Sequence, residues 1–116
     1  MTTLHVERAE RVVTLTLDGP EDQNRLTRDV LLAMQSIVDE LGADEDAQAV
    51  VVTGSGAEFF SMGILNPMVR AAYTKEQILD LPRIANRLYD ALEALPQIVI
   101  AAYNGPARAG AAELSL

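Results

Sequence analysis

Cysteine is absent from the 116-residue chain, which excludes disulfides and thiolate metal ligands. Histidine occurs once, at His5, and a lone imidazole makes no metal cluster. Its expected place is an exposed strand face. Positive charge is scarce: nine Lys and Arg face seventeen Asp and Glu, for a net charge of −8. Phosphate backbones are gripped by basic stripes, so nucleic acid is excluded as the main partner. Long hydrophobic runs are lacking too. The longest mostly apolar stretch, Ile98 to Tyr103, is far too short to span a bilayer. The opening MTTLHVERAE is charged and carries no apolar signal core, so the expectation is a non-secreted, cytoplasmic protein with no membrane partner. There is no internal repeat, low-complexity tract or linker. What is present is 49% apolar residues with charges interspersed, enough for one small domain over 1–116.

Hydrophobic spacing divides the chain into alternating elements. Leu4 to Arg8 and Val12 to Leu17 are β-rich runs, joined at Ala9–Glu10–Arg11 as a hairpin would be. Gly19–Pro20 marks a turn. From Leu26 to Leu41, apolar residues recur at three and four positions, with Thr27 as N-cap and Gly42 as stop. Gln48 to Thr53 reads as a buried strand. Phe59 to Gly63 reads as a loop. Thr74 is a second N-cap candidate, and Leu79 to Leu95 has helical spacing. Pro82 is expected in a first turn or at a break, and Pro96 ends the stretch. Ile98 to Tyr103 reads as another buried strand, Asn104–Gly105–Pro106 as a turn, and Ala109 to Leu116 as the start of a helix. The order predicts an α/β fold with a mostly parallel sheet flanked by helices. Ending inside a helix, the chain reads as truncated.

Two strand-to-turn segments carry the chemistry. One runs from Val50 to Leu65, the other from Ile98 to Leu116, and both turns contain small residues. Turns at the carboxyl ends of parallel strands are where open α/β folds bind ligands. Two amides converging there on one carbonyl oxygen make an oxyanion hole. Amides near Gly110 would also sit at a helix start, where the dipole favours negative charge. Glu113, three residues on, would fall near the same helical face and be placed to move a proton. From spacing alone, ordinary strand-to-helix turns and a dipole-complementing glutamate are the favoured readings.

Specific segments add to this. VERAERVVTLTLDGPEDQNRLTRDVLLAMQSIVDEL resembles the opening hairpin, turn and helix of the crotonase (enoyl-CoA hydratase/isomerase) family. GSGAEFFSMGIL resembles that family's glycine-containing segment running through F-[SA]-[AS]-G. PQIVIAAYNGPARAGAAELSL resembles its P-[VI]-I-A-A-[VIL]-N-G-x-A-x-G-G-G-x-E-L segment, the most specific of the three. The similarity covers nearly the whole chain in order and spacing, and implies crotonase-like ββα units forming the N-terminal half of a single core domain.

The resemblance implies roles at matching positions. The oxyanion amides would be those of Ile64 and Gly110, and Glu113 would be one of two catalytic acids, the other falling beyond Leu116. Phe60, Met62 and Gly63 would border the acyl-thioester and adenine pocket. Arg25 would lie near the coenzyme A phosphates. Coenzyme A would arrive as part of the substrate, with no permanently bound cofactor and no metal. The full-length protein would be a homotrimer or hexamer active in fatty acid metabolism. Three departures stand out: Ala109–Gly110–Ala111 replaces three glycines, Met62 is bulkier than usual, and Leu65 replaces a frequent Asp. They leave two alternatives open, a coenzyme A-independent hydrolase of diketone carbon–carbon bonds and a non-catalytic fragment or assembly domain. The isolated 116-residue chain is expected to have little activity.

Overall fold

The computed structural model describes residues 1–64 and 67–115. The chain begins as an antiparallel hairpin, β1 (Thr3–Ala9) against β2 (Val12–Asp18). Glu10 turns it with φ 57°, the left-handed conformation a tight reversal requires. A short 3-10 turn (Pro20–Asp22) leads to helix α1 (Arg28–Leu41). Strand β3 (Ala49–Gly54) follows, then α2 (Pro67–Ala72), α3 (Lys75–Glu93), β4 (Ile98–Ala102) and α4 (Gly110–Ser115). The four strands stand in chain order, β1-β2-β3-β4. The pairs β2–β3 and β3–β4 are parallel, so the sheet is mixed with a parallel majority.

Period-two alternation decides which side chains meet the helices. On β2, Val13, Leu15 and Leu17 point inward and are buried; on β3, Val50 and Val52 do the same. They pack beneath α1, through Val30, Leu31, Met34, Val38 and Leu41, and beneath α3, through Leu81, Ala85, Leu88 and Leu92. Thr27 caps α1, its hydroxyl accepting from Val30 N at 3.2 Å. Thr74 and Gln77 form a reciprocal capping box on α3, at 3.2 and 2.9 Å. Both caps are where sequence placed them.

Two expectations need correction. Pro82 neither starts nor breaks a helix: α3 runs through it from Lys75 to Glu93. A mid-helix proline costs about 3 kcal/mol. The capping box before it and the buried stripe Leu81–Ala85–Leu88 around it supply the compensation. The strand at Ile98 is not buried either. It forms the sheet edge, and Ile98 and Ile100 are 69% and 47% exposed. Among the described residues no strand pairs outside it and no layer covers that face.

His5 lies on the exposed face of β1, as expected, with Nε2 2.6 Å from Asp18 Oδ2. Among the described residues no helix is long and apolar enough to cross a membrane.

Candidate functional site

The site is assembled by three loops lying side by side at one end of the sheet. The central one follows β3. On one flank, Met62 N donates to Gln23 O at 3.1 Å, and Leu26 N donates to Gly63 O at 2.9 Å. On the other, Phe60 N donates to Pro106 O and Arg108 N to Ser61 O, both at 3.1 Å. Ser61 and Ala107 form an isolated parallel bridge there. The loops after β3 and β4 therefore run together as a continuation of the sheet.

Two asparagines hold the central loop. Asn24 is fully buried; its Oδ1 accepts from Gly19 N at 2.9 Å, and its Nδ2 donates to Ser55 O at 3.0 Å and Phe59 O at 2.9 Å. Asn104 approaches from the opposite side. Its Oδ1 accepts from Gly54 N at 3.1 Å, and its Nδ2 donates to Phe59 O at 2.7 Å and Gly56 O at 3.0 Å. Asp18 adds a third tie by accepting from Ser55 Oγ at 2.7 Å. That bond, and next the one with His5, hold the Asp18 carboxyl below its ordinary value.

The loop so held brings Gly63 and Ile64 against the start of α4. Gly63 has φ 101°, and a Cβ built on it would lie 3.1 Å from Arg108 O and 3.6 Å from Gly110 N. A Cβ on Gly110 would lie 2.9 Å from both Ile64 Cδ1 and Tyr89 Oη. Only backbone without side chains allows this approach. Among the described residues, neither the Ile64 nor the Gly110 amide donates to another protein group. Tyr89 Oη donates to Gly110 O at 2.8 Å. Burial, and secondarily the Glu113 carboxylate, push the Tyr89 phenol up to about 12, so it remains a donor at neutral pH.

Three of the predicted residues, Ile64, Arg25 and Glu113, line one or other of two cavities, whereas Gly110, Met62 and Gly63 line neither. Ile64 and Arg25 line one of about 550 Å³, with Arg28, Tyr73 and Leu81. Arg25 is braced there, Nη2 donating to Gln23 Oε1 at 2.7 Å and Nη1 to Met62 O at 3.4 Å. Glu113 is exposed on the first turn of α4 and lines the other, about 400 Å³, with Tyr89, Val99 and Ala101. Met62 is half-buried and Gly63 buried. Phe60 departs from expectation. Its side chain is fully buried and meets Tyr103 edge to face, ring centres 5.1 Å apart. The ring is a core group and lines neither cavity. Leu65 lies outside the described residues. Sequence reasoning missed Tyr89 and the paired asparagines, all of which act across long sequence separations. Asn104 at least stands in the Asn–Gly–Pro turn that was recognised.

Comparison with known proteins establishes the family and the fold. A family model described as enoyl-CoA hydratase/isomerase matches residues 7–116. The Bacillus subtilis protein YngF is 33% identical over 113 residues, covering 97% of this chain and 43% of its own length. The short-chain-enoyl-CoA hydratase of Clostridium acetobutylicum is 30% identical over 111 residues, with 96% and 42% covered. The solved structure of an enoyl-CoA hydratase from Bacillus anthracis superposes with a TM-score of 0.90 at 30% identity, over 97% of this chain and 43% of that one. The chain thus spans less than half the length of the relatives it matches.

Proposed function

Because the chain belongs to the enoyl-CoA hydratase/isomerase family, we propose that it carries the oxyanion-binding part of an acyl-CoA enzyme. In this reading the thioester carbonyl oxygen of an enoyl-CoA lies between the Ile64 and Gly110 amides. When water adds at the β-carbon, the carbonyl oxygen takes up negative charge as an enolate. Two preoriented N–H groups stabilise that charge more than they stabilise the neutral ground state. Protonation at the α-carbon then restores the carbonyl. Glu113 is the carboxylate assigned to moving a proton at the β-carbon or positioning the water. Arg25 and Arg28, at the cavity Ile64 also lines, are the cations assigned to the coenzyme A phosphates.

The observation that carries this reading is the close approach of Gly63 to Gly110. It brings together, on adjacent loops following parallel strands, two amides that donate to no other protein group among the described residues. The test is Glu113→Gln in the full-length gene product, assayed by loss of the conjugated thioester of a short enoyl-CoA. General acid–base catalysis contributes about 10²–10⁴-fold, so kcat should fall at least about a hundredfold. An unchanged kcat would remove Glu113 from the chemistry. Turnover of a β-diketone without coenzyme A, in place of the thioester, would move the assignment to carbon–carbon bond hydrolysis.

A further inference from the structure

Tyr89 belongs to α3 and reaches α4 across twenty-one residues of sequence. We propose that it is a positioning residue for the Gly110 amide, a role that rests on the oxyanion reading above. Gly110 has every reason to be loose. Glycine has the widest backbone freedom of any residue. Ala109 before it holds a left-handed φ of 48°.

The immobilisation comes from outside the helix. Ile64 Cδ1 and Tyr89 Oη both crowd the space where a Gly110 side chain would be, each 2.9 Å from a built Cβ. Tyr89 also hydrogen-bonds the Gly110 carbonyl at 2.8 Å. Amide and carbonyl flank one Cα, so fixing the carbonyl fixes ψ, and contact on the Cα restricts φ. The direction of the Gly110 N–H follows from both. A donor that needs no reorientation during reaction stabilises developing charge best. The half-buried ring of Tyr89 lies in the core, so its hydroxyl is delivered from a rigid support.

Tyr89→Phe in the full-length gene product removes the hydroxyl and leaves the ring packing. The expected result is a fall in kcat of about tenfold with KM within about twofold, since the missing orientation matters when the oxyanion forms. A general loosening of the fold would not produce that split. The Gly110 carbonyl carbon resonance should also move upfield, as loss of a hydrogen bond requires. An unmoved resonance overturns the proposal whatever the kinetics. Unchanged kcat in Tyr89→Phe, with Glu113→Gln still impaired, overturns the role of Tyr89 and leaves the oxyanion reading standing. No turnover of any enoyl thioester by the parent protein sinks that reading and this role together.

Discussion

The loops after β3 and β4 meet at one site but are built in opposite ways. The β3 loop is held by polar side chains from both flanks: Asn24 and Asn104 satisfy backbone groups at Gly54, Ser55, Gly56 and Phe59, and Asp18 accepts from the Ser55 hydroxyl. The start of α4 has one polar tie from the neighbouring helix, Tyr89, and otherwise depends on the burial of Ala111 and Leu114. Backbone strain follows the same division. Asn24 has φ 50°, a conformation asparagine tolerates, and its side chain makes three hydrogen bonds in return. Ala109 has φ 48° with no polar side chain to offset it. Strain persists only where the surroundings over-determine it, so the two loops should respond differently to mutation.

The largest effect should come from Asn24→Ala. It leaves the buried Gly19 amide without a partner and takes one of two donors from each of Ser55 O and Phe59 O, and an unsatisfied buried group costs about 1–3 kcal/mol. A loss of about 3 kcal/mol is expected, a fall in Tm of about 12 °C followed by circular dichroism. A change under about 1 kcal/mol would mean the clamp is ornamental to the fold. Asn104→Ala should cost less, about 2 kcal/mol, because its contacts are closer to solvent. Both asparagines donate to Phe59 O, so a double-mutant cycle should return a coupling of about 1 kcal/mol. Strict additivity would show two independent clamps.

Ala109→Gly tests the other loop and has the opposite sign. Relieving a left-handed alanine should stabilise by about 1 kcal/mol, seen as a higher denaturant midpoint. Destabilisation would show that the loop uses the alanine methyl in packing. The smallest effect belongs to Asp18. Its folded pKa lies below the ordinary 3.8, so its contribution is present above that value and lost as pH falls through the folded one. Asp18→Asn should therefore lower stability slightly near neutrality and flatten the acid end of the profile, the two proteins converging as pH falls well below about 4. An identical acid limb in both proteins would sever Asp18 from the β3 loop.

The contrast also explains what the sequence disclosed. Thr27 and Thr74 were legible as caps because the bonds they make stay within three residues. Strand β2 was legible because β-propensity is carried by its own residues. Gly110 and Glu113 were singled out by the resemblance of one short motif to a family segment, not by their spacing. Tyr89 was not, since nothing around it separates a tyrosine that bonds α4 from one that merely packs. Asn24 gave no signal of its partners thirty-one and thirty-five residues away. Phe60 was misplaced because a loop position says nothing about which way its ring turns.

Strand order in the sheet is also strand order in the chain. A ribosome delivering this polypeptide therefore never releases a strand whose neighbour is still to be skipped over. The hairpin can close by itself, β3 finds β2 already waiting, and β4 finds β3. No pairing already made has to open for a later segment to enter. Such a sheet grows outward from one side, like masonry laid in courses, and its newest course is always the one at the rim.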